Sequence, residues 1–378
     1  MSALERKLQR WQEAGLIDEA IAKGILAYER DHGGGWQGRL LLLLGSGTMG
    51  IGIISLVAAN WARLPDGLKL GGDFALLSLL AVVIHATARR SSWLHEGAIF
   101  GFQLLCLASI GLIAQIYHLS GKPWQALGLW VAICLPITLF AHNRASWALW
   151  SGGLLAAFGL WVHHWLDLSG GRSFSDWGEL GLRAWLATTL LAGGLHHLAA
   201  SLGWQRFRGL FGYWWLSLGL LLVAALDLLY TAGFRGSLAL GPPLFWAAMT
   251  GLILGALWLR RDLHLASRLL LTLMVLLAVA ATLGNPVPPA VGKLGGALLS
   301  LLFLALGLAV AGLERRPALF RLLVVLAGLR IYGLYLQAFG GLAATGVGLI
   351  LSGGVLILLV LLIKRIQALA KGFRRRPS

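Results

Sequence analysis

The chain has 378 residues, of which 58% are hydrophobic and only 12% charged, and it contains 51 glycines. Soluble domains carry about 25% charged residues and about 7% glycine, so this composition excludes both a water-soluble globule and a disordered chain. The formal charge of +16 would suggest nucleic acid in a soluble protein, but here the placement of the basic residues gives it another meaning.

Residues 1–38 differ in composition from everything that follows. Leu4, Leu8 and Trp11 share one helical face, and Ile17, Ile21 and Ile25 share another after Ala14-Gly15, with Asp18 placed to cap the second helix. This predicts a small helical hairpin whose apolar stripes are too small for an independent core. From Arg39 onward the chain carries runs long enough to cross about 30 Å of hydrocarbon, which takes about 20 mainly apolar residues per helix. Twelve are expected: 40–59, 68–88, 97–118, 123–142, 145–165, 179–200, 209–230, 242–259, 265–284, 292–313, 317–337 and 340–363. Hydrocarbon offers backbone groups no partners and the runs lack strand alternation, so the fold class is an all-α polytopic helical bundle. The expected organisation is a cytoplasmic hairpin at 1–38, a transmembrane bundle at 39–365 and a basic cytoplasmic tail at 366–378.

Cytoplasmic loops retain Lys and Arg. With the N-terminus inside, 23 of the 31 basic residues fall on that side; only Arg63, Lys69, Lys122, Arg172, Arg235 and Lys293 fall outside, and Arg183 and Arg330 lie within helices. A helix missed or invented mid-chain would invert every later loop and destroy this alternation. The pattern therefore predicts twelve crossings with both termini cytoplasmic, and no nucleic-acid partner is expected. No cleavable signal is visible. Cys106 and Cys134 fall inside helices and are assigned to packing. Glycine clusters such as Gly193-Gly194 and Gly295-Gly296 predict close helix contacts. Trp36, Trp61, Trp93, Trp124, Trp165, Trp177 and Trp204 lie near predicted helix ends and read as interfacial anchors.

Ionisable residues within the spans carry most of the functional information, because an unpaired charge in hydrocarbon costs at least about 2.5–3.5 kcal/mol on insertion scales. Arg330 and Asp227 both lie in the outer half of their predicted helices. They are expected either to pair with each other or to leave Arg330 facing an anionic ligand. Glu179 and Arg183 are spaced i,i+4 for a pair on one face. His163, His164 and Asp167 could relay a proton, but no set of three or four metal ligands stands out, and no metal or cofactor is expected. Gln115 and His118 share a face at the end of the third predicted span and could form the lip of a site. His196-His197 falls near the opposite membrane face.

The hairpin with Trp11, Gly15-Leu16-Ile17 and Tyr28, the Ala59-Asn60-Trp61 ending and the Ala114-Gln115-Ile116-Tyr117-His118 segment resemble a widespread family of bacterial multi-pass membrane proteins with a domain of unknown function. The resemblance covers roughly residues 1–145 and implies a bacterial inner-membrane protein. It adds weight to Asn60, Trp61, Gln115, Tyr117 and His118. The candidate substrate-binding set is Asn60, Gln115, Tyr117, His118, Asp227 and Arg330.

Three function classes are open at this stage. The first is a transporter or flippase of a small anionic or lipid-linked substrate through an outward-facing polar cavity. The second is a membrane-embedded enzyme acting on a lipid or polyprenyl-linked substrate at the outer face. No nucleophile elbow or phosphate loop supports it. The third is a scaffold or sensor whose residues 1–38 recruit a protein partner. Membrane lipid is a partner in all three. No internal repeat relates 40–200 to 209–363, and Arg89-Arg90-Ser91-Ser92 lacks the Gly-to-Asp signature of the major facilitator family.

Overall fold

In the computed structural model, the residues described are 8–9, 11–25, 48, 64–88, 93–142, 144–170, 177–232, 243–284, 294–343 and 354. The chain falls into two units, Met1–Gly72 and Asp73–Ser378. Among the described residues there is no strand. Ten long helices are described: α1 (Asp66–Thr87), α2 (Trp93–Ile116), α3 (Pro123–Thr138), α4 (Arg144–Gly170), α5 (Trp177–Ser201), α6 (Gln205–Thr231), α7 (Pro243–Trp258), α8 (Leu265–Leu283), α9 (Leu294–Leu313) and α10 (Pro317–Ala343).

These ten correspond in order to the second through eleventh expected spans. The first span, 40–59, and the last, 340–363, lie almost wholly outside the described residues. Seven of the ten helices, α1, α2, α4, α6, α8, α9 and α10, are long and apolar enough to cross a membrane, while α3 and α7 are shorter apolar helices. Their lipid-type character shows in outward-facing residues such as Leu76, Leu79, Val82, Leu221, Leu228 and Leu329, all exposed. The protein is thus an all-α bundle of apolar helices.

In the first unit, residues 11–13 and 19–25 are helical, with a turn at 14–17. Gly15 has φ +66°, and the N–H groups of Gly15 and Leu16 donate to the carbonyls of Gln12 and Trp11 at 2.9 Å each. This closes a helix end on a left-handed residue, where glycine carries no Cβ penalty. The Asp18 carbonyl accepts from Ala22 N–H, which opens the next helical stretch. Leu8 and Ala22 are buried while Ile21 is exposed, so the inward face is not centred on the isoleucine stripe.

α5 decides the packing of the second unit. It is 25 residues long but carries Arg183, Thr188, Thr189, His196 and His197, which leave it less apolar than its neighbours. A helix of this kind is poorly suited to lipid, and it sits at the centre, packed on α4, α6, α7 and α8. Arg183, Leu186, Ala187 and Ala192 are fully buried. One apolar core gathers around α5 from residues of α4 through α9; another joins α1 through α4 and the start of α6.

Several polar groups between helices find partners. The Gln103 side-chain amide donates to Thr138 Oγ1 at 2.7 Å and to the Ser146 carbonyl. The indole N–H of Trp130 donates to the Gln103 carbonyl, that of Trp150 to the Val131 carbonyl and that of Trp214 to Ser151 Oγ. These tryptophans work in the interior, a role distinct from the interfacial one expected at helix ends, where Trp204 is indeed exposed. Cys106 and Cys134 are buried free thiols.

Candidate functional site

Of the six residues singled out from sequence, Asn60 lies outside the described residues. Gln115, near the end of α2, is exposed, as are Tyr117 and His118 that follow it. His118 has φ +50°, and the adjoining Leu119 N–H closes on the Ala114 carbonyl at 2.9 Å, so the histidine serves as the helix-ending residue. Asp227 and Arg330 are brought together.

The Arg330 guanidinium grips Asp227 in a bidentate pair, Nε donating to Oδ2 and Nη2 to Oδ1 at 2.8 Å. Two parallel charge-assisted bonds suit the planar fork of arginine. Asp227 is 9% exposed, in the last turn of α6, and Thr231 Oγ1 also donates to Oδ1. α9 comes close beside them at Gly296. A Cβ there would lie 2.9 Å from Thr231 Oγ1 and 3.0 Å from Asp227 Oδ1, and closer still to the Asp227 carbonyl. Only glycine lets the α9 backbone pass this pair.

At the other end of α6 a second polar cluster forms, one that sequence reasoning placed near the opposite face but left unassigned. α5 ends with His196 and His197, α6 begins with Arg208 nearby, and the α7–α8 and α9–α10 turns bring Arg260, Asp262, Glu314 and Arg316. Arg260 is 2% exposed. Its Nε and Nη2 bond Asp262 at 2.9 and 2.5 Å, and its Nη1 lies 3.3 Å from His197 Nδ1. His196 Nδ1 donates to the Arg208 carbonyl at 2.8 Å. Trp215 stacks on His196 and meets His197 edge-on. The Arg260 bonds hold the Asp262 carboxyl below its ordinary range. Partial desolvation, reinforced by Arg260 and Arg208, pulls Arg316 below the usual arginine value although its side chain still reaches solvent.

Between this cluster and the ion pair lies a cavity of about 180 Å³ walled by α5 through α10. Leu186, Leu190, Leu222, Val275 and Phe303 give it a hydrocarbon lining; His196, His197, Arg260, Glu314 and Arg316 mark its polar end, and it reaches Leu226, the residue before Asp227. This differs from the expected outward-facing polar cavity. It is apolar, its charged end is the His196 end, and of the expected residues that are described none lines it. The physical reason is that Asp227 and Arg330 neutralise each other and so require no polar lumen around them.

Elsewhere, Lys122 Nζ donates to His164 Nε2 and Trp124 stacks on the same ring; His164 thus partners a cation, while Asp167 is exposed. His95, fully buried, bonds Thr87 Oγ1 at 3.0 Å and approaches the Phe140 carbonyl. The Glu179 side chain lies outside the described residues. Among the described residues no group of three or more His, Cys, Asp or Glu could hold a metal ion.

No curated protein and no solved structure matches this chain. A family match covers α1 to the start of α4 and leaves the cavity and the ion pair outside it. Residues 9–147 match the family model described as "Predicted membrane protein (DUF2157)", which together with the apolar helices supports an integral membrane protein.

Proposed function

We propose that this protein is a transporter or flippase of a small anionic or lipid-linked substrate in the bacterial inner membrane, with both termini cytoplasmic. The observation that carries this reading is the cavity of about 180 Å³ inside α5–α10, bounded at one end by the buried Arg260 with Arg316 beside it and at the other by the Asp227–Arg330 pair. By the distribution of Lys and Arg, the His196 end faces the cytoplasm and the ion pair faces outward. The arrangement fits a state open toward the cytoplasmic side, the pair acting as the closed outer barrier. When the pair opens, Arg330 offers a cation to the passing anion and Asp227 is released. Binding sites at the meeting point of helices near mid-membrane are the rule among such proteins.

Removing one partner alone would strand a buried charge and unfold the region at a cost of about 3–5 kcal/mol. The informative variant is Asp227→Asn with Arg330→Gln, which removes both charges. Reconstituted in liposomes, it is expected to retain its fold and to move octyl phosphate at least about tenfold more slowly, the equivalent of one charge-assisted bond. Flux equal to that of the native protein would exclude the pair from the translocation path.

A further inference from the structure

We propose that the cavity binds a single-chain amphiphile with a monoanionic oxygen headgroup, carboxylate or phosphate, whose oxygen accepts a hydrogen bond from His197 Nε2 at the Arg260–Arg316 end. This names the substrate class of the same cavity and so rests on the transport reading.

The tautomer of His197 follows from its neighbour. A guanidinium only donates, so with Arg260 Nη1 at 3.3 Å, His197 Nδ1 is the acceptor and the neutral ring carries its proton on Nε2. That Nε2 is buried and has no partner among the described residues. The ring is 1% exposed and lines the cavity. A buried donor left without an acceptor is unfavourable, and buried polar groups nearly always have partners. The missing partner must be an acceptor, and it must sit beside a hydrocarbon lining. His196 differs, since its Nδ1–H is taken by the Arg208 carbonyl.

Charge and volume narrow the ligand further. Arg208, Arg260 and Arg316 face Asp262 and Glu314, whose Oε1 already accepts from His264 N–H at 3.2 Å. One positive charge remains, which suits a monoanion. A cavity of about 150 Å³ lined by Leu, Ile and Phe takes a benzene-sized guest. At about 180 Å³ this one takes a single short apolar arm and excludes a second acyl chain.

The test uses the full chain in phosphatidylcholine nanodiscs with radiolabelled octanoate, octyl phosphate and octan-1-ol. At least one anion is expected to bind about tenfold or more tightly than the alcohol, with the better anion identifying the headgroup. His197→Phe keeps the ring and removes the donor. Because it also takes the Nδ1 acceptor from Arg260, a lowered melting temperature is expected, but anion binding is expected to weaken about tenfold while octanol binding stays unchanged, a split that a purely structural histidine would not give. Octanol binding as tightly as both anions overturns the proposal, as does native anion affinity in His197→Phe. Arg316→Gln, at an exposed position, gives an independent measure if His197→Phe does not fold. The preference for anion over alcohol must shrink, and an unchanged preference overturns the site. Anion binding without flux would remove the transport reading and leave the site. Anion flux unaffected by both substitutions would remove the site and leave transport.

Discussion

Trp130 illustrates how a single side chain sets the spacing of two helices. It is 1% exposed, and its indole is tied by Nε1 to the Gln103 carbonyl at 2.6 Å, so it has no freedom to swing. A Cβ on Gly153 of α4 would overlap that ring. Gly153→Ala is therefore expected to destabilise the protein by about 1–3 kcal/mol, the usual range for overpacking a filled interior. Gly251→Ala is the control, because its Cβ would meet nothing within 4 Å, and there the higher helix propensity of alanine acts alone. Thermal unfolding of the two variants in one detergent checks the contrast, and equal midpoints would contradict it. The sequence marked glycine clusters as packing sites, but it could not say which glycine faces an immovable ring.

At the scale of the elements, α5, α6 and α9 carry most of the organisation. α5 is the least lipid-compatible of the long helices, and its central position follows from that. Its polar residues are satisfied or screened only when other helices surround them. α6 links the two polar ends of the bundle, with Arg208 near its start and Asp227 near its end. α9 fixes the outer pair by approaching α6 at Gly296, where the obstacle to a side chain is backbone and cannot yield. Gly296→Ala is expected to push α9 from α6 and loosen the Asp227–Arg330 pair. A loss of about 1–3 kcal/mol in stability follows from the overpacking, measurable as a lowered melting temperature, together with reduced octyl phosphate flux. Native values of both would mean that α9 shifts freely at this point.

For the whole molecule, the orientation in the membrane rests on the Lys and Arg count. If the His196 end is cytoplasmic, a cysteine at Arg261 in the α7–α8 turn is shielded from a membrane-impermeant maleimide in intact cells. A cysteine at Ser120, between α2 and α3, is labelled there. The native thiols Cys106 and Cys134 are buried and should contribute little background. Labelling of Arg261→Cys in intact cells, with protection of Ser120→Cys, would reverse the assignment of cavity and barrier to their sides.

The number and order of the central helices were legible in the sequence because hydrocarbon leaves a chain few alternatives. Each apolar run of about 20 residues must form a helix to satisfy its own backbone. The union of Asp227 with Arg330 was legible for a related reason, since two opposite charges in the outer halves of two spans gain from meeting and lose heavily apart. The cavity was not legible. His197, Arg260 and Arg316 come from three separate parts of the chain, and nothing in their local spacing indicates that they border one hydrocarbon pocket. His196-His197 was visible as a pair of titratable residues near a helix end, and its orphan Nε2 depends on where Arg260 lies. Sequence alone determined which segments enter the membrane, because burial in lipid is a property of each segment's own composition. Only the tertiary structure decided which polar groups would face each other and which space would stay empty, because those outcomes depend on the packing of helices distant in sequence.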